Sequence, residues 1–140
     1  MRAVTTHVLI PREAGASAAS VRAAIYEALR LGKCYIAYDC LGDPRPFSFT
    51  ATNGTEVATM GERIARRDGA VCLTARALTG TLLHLYHRGR VVAASRDGCL
   101  TFAATEPGAY RIEAYRTGLH LGPLYIGARP WIFTNPIYIK

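Results

Sequence analysis

The stretch Glu106-Pro107-Gly108-Ala109-Tyr110 decides the fold. It places a tyrosine two residues after the glycine of a Pro-Gly turn pair, near the start of a strand-like segment. A tyrosine in this position can bond back to upstream backbone, which is the corner arrangement of immunoglobulin-like β-sandwiches. The stretch therefore predicts a sandwich corner at Tyr110.

Further strand-like segments lie on both sides of this corner, at the spacing of roughly 8–12 residues that is typical of a sandwich or barrel. One of them, 47–52, alternates apolar and polar side chains, the period-two pattern of a half-buried strand. We expect strands at 4–10, 33–38, 47–52, 70–77, 81–87, 91–95, 100–105, 109–116 and 131–139. The predicted fold class is therefore mainly β: an immunoglobulin-like β-sandwich of about seven to eight antiparallel strands, preceded by a strand-helix-strand segment.

Glycine-containing dipeptides separate several of these strands. Arg88-Gly89 and Asp97-Gly98 are predicted to be hairpin turns, and Asn53-Gly54 a tight turn, because glycine readily adopts the backbone conformations that such turns need.

One segment has helical periodicity instead. Five apolar residues between 21 and 29 recur at helical spacing and predict a single apolar face. Ser17 or Ser20 is placed to cap the beginning of this helix, and Gly32 is placed to end it in a left-handed conformation.

The composition excludes several classes of protein. The chain has 140 residues, a net charge of +7, 50% hydrophobic and 19% charged residues, which is unlike a disordered tail, a collagen-like fibre or a coiled coil. The length suits one domain, no apolar run reaches the ~20 residues of a membrane span, and the N-terminus does not resemble a signal peptide. Four cysteines without a C-x-x-C pair predict reduced thiols in a cytoplasmic protein.

The residues that most often carry chemistry form no recognisable catalytic pattern. Nucleophile elbows, P-loops and dinucleotide-binding glycine motifs are absent from the sequence. A zinc site made from His84 and His87 with Cys34 and Cys40 has no standard ligand spacing, and the two histidines leave opposite faces of one predicted strand. Asp39 is the carboxylate that turn chemistry explains least, and no acid–base pair is predicted.

The positive charge raises an alternative function, a small basic β-barrel that binds nucleic acid. The arginines that would carry it are Arg63, Arg66, Arg67, Arg88, Arg90 and Arg96. Because basic residues are spread along the whole chain, a solvated surface explains them better, and we do not expect nucleic acid to be a partner.

Five segments, in chain order, resemble one known family. The run from Ala24 to Asp39 contains the pattern Ala-Leu-Arg-Leu-Gly-Lys-Cys-Tyr-Ile-Ala-Tyr-Asp, and the last segment contains Arg-Pro-Trp-Ile-Phe-Thr-Asn-Pro-Ile-Tyr. The five segments are 24–39, 43–51, 60–61, 107–113 and 129–138. They resemble the C-terminal part of PHP-domain proteins, the polymerase-and-histidinol-phosphatase type of metal-dependent phosphoesterase, over almost the whole chain.

The resemblance implies that the catalytic residues lie in a different domain from this sandwich. In that family the metal ligands lie upstream, in an early H-x-H and a late D-x-H motif, and this sequence has neither. Residues 1–45 would be the tail of a PHP-type catalytic domain and 46–140 a C-terminal β-sandwich. We therefore expect a non-catalytic accessory domain for packing, substrate access or oligomerisation. Divalent zinc, manganese or iron is expected only in the upstream catalytic domain. We expect no catalytic, cofactor-binding or metal-binding residue in this chain.

The same resemblance singles out eight residues for an interdomain or structural role: Leu29, Asp39, Tyr110, Arg111, Trp131, Asn135, Pro136 and Tyr138. If a catalytic barrel normally covers helix 21–29 and strand 4–10, their apolar faces are exposed in this chain, and exposed apolar patches recruit partners. We expect the chain to bind a PHP catalytic domain or to self-associate through the helix 21–29 face. The alternative is that the helix docks onto the sandwich and covers this face. We expect no membrane contact.

Overall fold

The computed structural model describes residues 4–13, 17–67, 69–118, 120–121, 124–125 and 127–140. Strands make up most of the regular structure, with one α-helix near the beginning of the chain. The elements in chain order are β1 (Val4–Val8), α1 (Ala18–Leu31), β2 (Cys34–Tyr38), β3 (Ser48–Thr52), β4 (Val57–Thr59), β5 (Arg63–Ile64), β6 (Val71–Arg76), β7 (Thr81–His87), β8 (Arg90–Ser95), β9 (Cys99–Ala104), β10 (Gly108–Arg116), β11 (His120–Leu121), β12 (Leu124–Tyr125), β13 (Arg129–Thr134) and β14 (Ile137–Ile139).

Two sheets form the sandwich. The larger one has the order β1-β2-β13-β10-β7-β8, with β14 continuing the line of β13 beside β10 and β5 lying next to β14. The smaller one has the order β4-β3-β6-β9, and β11 and β12 form a separate pair. Among the described strands, β5 and β14 pair in parallel and all other pairs are antiparallel.

The prediction of a mainly β sandwich after a strand-helix-strand segment is confirmed. Strands β6 and β9 pair in one sheet, while β7, β10 and β13 pair in the other. These are the B–E and C–F–G pairings of immunoglobulin-like sandwiches. The strands outnumber the predicted seven to eight because β4, β5, β11 and β12 have only two or three residues each, too few to show periodicity.

The core lies between the two sheets, and the predicted alternation of 47–52 is confirmed on β3, where Phe49 and Ala51 are buried. On β7, Thr81, Leu83, Leu85 and His87 are buried, whereas the residues between them are only half-buried. The largest fully buried side chains are Trp131, Tyr110, Phe49, Met60, Ile64, Leu73, Leu83, Leu85, Ile112, Ile132, Ile137 and Val71. Removing this apolar area from water is the main force that holds the sheets together.

The sandwich corner forms as predicted. The Tyr110 hydroxyl donates to the Glu106 carbonyl at 2.9 Å, and the His87 ring stacks on Tyr110 with 4.2 Å between centroids. Gly108 has a φ of +139°, and a Cβ there would lie 2.5 Å from His87 Cε1. Glycine therefore lets the corner close over the histidine ring.

The helix also forms where expected, two to three residues longer at each end. The Ser17 hydroxyl accepts from the Ser20 N–H at 3.2 Å, so Ser17 is the N-cap. Gly32 ends the helix in the left-handed conformation, with a φ of +72° and its N–H donating to the Leu29 carbonyl. Both ends thus satisfy backbone groups that would otherwise lack partners.

Two details of the strand prediction are wrong. Arg88-Gly89 joins the paired strands β7 and β8, but Asp97-Gly98 is not a hairpin turn, because β8 lies in the larger sheet and β9 in the smaller one. The predicted strand 131–139 is broken into β13 and β14 at Asn135-Pro136, where proline has no N–H to donate to a ladder.

The strand-helix-strand segment is continuous with the sandwich. Strand β2 pairs with β13, so β1 and β2 extend the larger sheet at one edge. The domain division near residue 45 stays a prediction. No helix in the described parts of the chain is long and apolar enough to cross a membrane.

Candidate functional site

Three of the segments that carry the family resemblance meet at the end of α1. The Asn135 side-chain amide donates to the Gly32 carbonyl at 3.0 Å and lies 3.2 Å from Cys34 Sγ. The Gly61 N–H donates to the Pro136 carbonyl at 2.9 Å. We call Gly32, Gly61, Asn135 and Pro136 the junction, because they tie the helix end to the sandwich.

Gly61 makes this close approach possible. Its φ is +82°, and a Cβ there would lie 2.2 Å from the Leu31 carbonyl oxygen and 2.6 Å from the Gly32 carbonyl carbon. Both neighbours are backbone atoms and cannot swing aside. A side chain at position 61 would therefore separate the β4–β5 turn from the helix.

An ion pair between Lys33 and Glu62, the residues that follow Gly32 and Gly61, also links the helix end to the β4–β5 turn. Burial raises the pKa of Glu62, but hydrogen bonds from the Lys33 ammonium and the Thr59 N–H outweigh burial and leave this pKa below its ordinary value. The carboxylate therefore stays ionised near neutral pH and keeps its partner.

A groove of about 760 Å³ lies beside the junction, and Tyr138, 41% exposed, forms part of its wall. Its charged lining consists of Arg30, Lys33, Glu56, Glu62 and Arg63. Cations and carboxylates alternate and partly neutralise one another, so the groove indicates no particular ligand.

The predicted apolar face of the helix is partly exposed: Ala28 is buried and Val21 and Ala24 are half-buried. Within α1 only Ala28 is buried, whereas Ile25 is 37%, Leu29 43% and Tyr26 68% exposed. We call Val21, Ile25, Tyr26 and Leu29 the α1 face. Docking of the helix onto the sandwich, one of the expected alternatives, is therefore partial, and the α1 face is left accessible.

Asp39 lies just after β2, in a short 3₁₀ turn (Asp39–Leu41), and binds a histidine that sequence reasoning missed. The His7 Nε2–H donates to Asp39 Oδ1 at 2.9 Å, and the His7 ring stacks on Tyr35. Hydrogen bonds from Thr5 and from His7 hold the pKa of Asp39 below its ordinary value. The pair fastens β1 to the end of β2. His7 and Asp39 lie 32 residues apart in sequence, so no local sequence motif predicts that they pair.

Arg111 lies on the outer face of the larger sheet, in a cluster with Tyr86, Glu113 and Tyr115 that we call the outer cluster. The Glu113 side chain is 12% exposed and pairs with Arg111. The Tyr115 hydroxyl donates to Glu113 at 2.6 Å, and the Arg111 guanidinium lies 4.5 Å from the Tyr86 ring centroid. The cluster is internally satisfied, which suits a rigid surface more than a reacting centre.

The pKa values in the outer cluster reflect these contacts. Burial raises the pKa of Glu113, but hydrogen bonds from Tyr115 and Arg111 outweigh burial and leave it below its ordinary value. Burial, followed by the hydrogen bond to Glu113, raises the pKa of Tyr115. Near neutral pH the carboxylate is therefore charged and the phenol neutral.

Trp131 lies in the core. Its side chain is fully buried in the core, and the Arg116 guanidinium lies 5.2 Å from its ring centroid, within cation–π range. Tyr110 is similarly buried at the sandwich corner. Neither side chain is placed to contact a ligand.

The described residues do not fit a metal centre. His87 is buried on the inner side of β7, and His84 lies half-buried on the outer side. Nowhere in the described parts of the chain do three His, Cys, Asp or Glu side chains come close enough to hold a metal ion. The four cysteines are free thiols.

Several of the arginines that suggested nucleic acid have partners within the protein. Arg66 donates to the Thr105 carbonyl. Arg67 pairs with Glu56 and Arg88 with Glu106, each at 3.2 Å. These contacts involve three of the six arginines, and the nucleic-acid alternative stays a hypothesis.

Searches with the chain find no matching family model, no matching curated protein and no matching solved structure. The resemblance to PHP-domain proteins therefore stays a prediction. Of the eight residues it singles out, the structure brings Asn135 and Pro136 together at the junction, with Tyr138 beside them. Leu29 lies on the α1 face, and Asp39, Tyr110, Arg111 and Trp131 lie elsewhere.

Proposed function

We propose that this chain is a non-catalytic accessory β-sandwich of a PHP-type metal-dependent phosphoesterase, and that the α1 face binds the catalytic domain. The observation that carries the proposal is the exposure of that face. A 14-residue helix buries only Ala28, while Ile25, Tyr26 and Leu29 remain in contact with water.

An exposed apolar helix face needs an explanation. Amphipathic helices of globular domains normally turn their apolar stripe toward the core, and contiguous exposed apolar patches mark interaction sites. Here the junction holds the end of the helix firmly through Asn135 and Gly61. The face is therefore presented on a rigid support.

The resemblance favours a catalytic domain as the occupant. It assigns the segment from β1 to β2 to the tail of a PHP-type catalytic domain, and this is the segment that carries the α1 face. Tyr26, the most exposed residue of this face, is aromatic, and aromatic side chains often dominate binding energy.

We place the catalytic metals of the assembly in the partner domain. The family resemblance implies this location, and hydrolysis would then depend on side chains supplied by that domain. The sandwich would contribute packing, shape the access of substrate or mediate oligomerisation.

The test is binding to a PHP-type catalytic domain from the same genome, purified without a C-terminal sandwich and titrated by isothermal calorimetry. We expect saturable binding by the wild-type chain and at least tenfold weaker binding by Tyr26→Asp, which places a charge on the most exposed residue of the face. Ala23→Asp introduces the same charge on an exposed position of α1 outside the face and should bind like the wild type.

Absence of binding by the wild-type chain contradicts the proposal. Equal weakening by both variants contradicts the assignment to the α1 face. Metal-dependent phosphoester hydrolysis by the purified chain alone, above the rate in buffer, contradicts the non-catalytic role.

A further inference from the structure

We propose that two copies of this chain pair reversibly through their β1 strands, antiparallel and about a two-fold axis at Thr6. The inference concerns the free edge of the larger sheet, not the α1 face. It does not depend on the presence of a catalytic partner.

Strand β1 is the last strand of the larger sheet among the described residues, and it pairs only with β2. Its five residues, Val4–Val8, contain no charge that is fixed at neutral pH, no proline and no glycine. The ladder with β2 continues through all five without a bulge. Natural proteins usually protect sheet edges with charged residues, proline or bulges. Strand β1 has none of these, so it is an unprotected edge.

The opposite edge of the same sheet is protected. Strand β8 begins with Arg90, and its ladder with β7 is irregular between Leu85 and Tyr86. Charge and irregularity both discourage the addition of another strand. Pairing between copies is therefore expected at β1.

The hydrogen-bonding pattern shows which backbone groups of β1 are free. The Leu9 N–H donates to the Lys33 carbonyl at 2.8 Å, which makes these two residues a hydrogen-bonded pair. In an antiparallel ladder such pairs alternate with pairs whose N–H and C=O groups point away from each other. His7 and Thr5, two and four residues before Leu9, therefore bond to β2. Val4, Thr6 and Val8 alternate with them and direct their N–H and C=O groups to the free edge.

These free groups fit a second copy of the same strand. With a two-fold axis at Thr6, the free groups of Thr6 face those of Thr6 in the second copy, and Val4 faces Val8 at both ends. Thr5 then lies beside His7 of the second copy. The sequence Val-Thr-Thr-His-Val is nearly the same in both directions, so each pairing is between compatible side chains.

The expected dimer is weak. Five paired residues bury far less than the ~1,600 Å² of a standard interface, although Val4, which is 54% exposed, becomes covered. We therefore expect a concentration-dependent equilibrium that sedimentation velocity detects as a shift toward twice the monomer mass as the concentration rises.

Charge substitutions at Thr6 test the axis directly. Thr6→Lys and Thr6→Asp each place two like charges opposite each other, and each variant alone should remain a monomer at concentrations where the wild type dimerises. An equimolar mixture of the two places Lys opposite Asp and should recover the dimer. Thr101→Lys adds the same charge to an exposed threonine on β9 and should dimerise like the wild type.

Circular dichroism confirms that each variant is folded before it is compared. A wild-type chain that stays monomeric up to millimolar concentration overturns the proposal. A Thr6→Lys variant that dimerises like the wild type, or a mixture that fails to recover the dimer, overturns the pairing at Thr6.

Discussion

Two glycines, Gly61 and Gly54, share a left-handed backbone but differ in their surroundings. Their φ angles are +82° and +93°. A Cβ on Gly61 would collide with backbone of Leu31 and Gly32, whereas nothing lies within 4 Å of a Cβ on Gly54. The first glycine is needed for its conformation and for a close approach, the second for its conformation alone.

We predict that Gly61→Ala destabilises the protein by more than about 2 kcal/mol, because backbone strain is added to a backbone collision. Gly54→Ala is the matched control and should lower stability by about 1 kcal/mol, the effect of a left-handed alanine. Urea unfolding measures both. Equal losses in the two variants would show that the approach of Gly61 to the helix end does not contribute to stability.

Residues differ in how far the sequence reveals their roles. Tyr110 was predictable because its partner, the Glu106 carbonyl, lies four residues away in the same corner. The role of Asn135 was not, because its side chain bonds to Gly32 across 103 positions of the chain. Gly61, Asn135 and Pro136 stood out only through the family resemblance, which said nothing of their contacts.

At the scale of elements, β10 carries a prediction about pH. Glu113 lies on its outer face, nearly buried, with Arg111 and Tyr115 as partners. Its pKa in the folded protein is below the ordinary value of 4.5. Ionised Glu113 therefore stabilises the fold fully above about pH 4.5, and this stability is lost as pH falls through the lower, folded-state pKa.

We predict that Glu113→Gln lowers the free energy of unfolding at pH 7 by about 1–2 kcal/mol, because two hydrogen bonds lose their charged acceptor. The difference from the wild type should shrink as the pH falls below 4.5, since protonation then removes the same charge from the wild type. Glu27→Gln, at an exposed ion pair with Arg30, should leave stability nearly unchanged. A difference that stays constant from pH 7 to pH 3 would contradict this role of Glu113.

Elements with several residues of clear periodicity were predictable, and short ones were not. Strand β7 was predicted with its observed bounds, and α1 with its final glycine and with Ser17 as one of two candidate N-caps. Strands β4 and β5 escaped prediction because two or three residues show no alternation. The change of sheet between β8 and β9 was not predicted, because an Asp-Gly pair suits both a hairpin turn and a connection between two sheets.

At the scale of the whole molecule, the larger sheet joins the beginning of the chain to its end. Strand β2 pairs with β13, and the junction fixes the helix between β1 and β2. Periodicity predicted an apolar helix face but not whether it would be covered, because coverage depends on tertiary contacts far apart in sequence. The exposed α1 face is thus a finding of the structure, and it supports the proposed docking to a catalytic domain.

Hydrogen exchange of the chain, alone and with the PHP-type catalytic domain, tests this docking most directly. We predict that the amides of residues 21–29 exchange more slowly in the mixture, because the bound domain shields the α1 face, while the amides of β10 in the sandwich core remain unchanged. Unchanged exchange in residues 21–29, or protection confined to the outer cluster on β7 and β10, would contradict it.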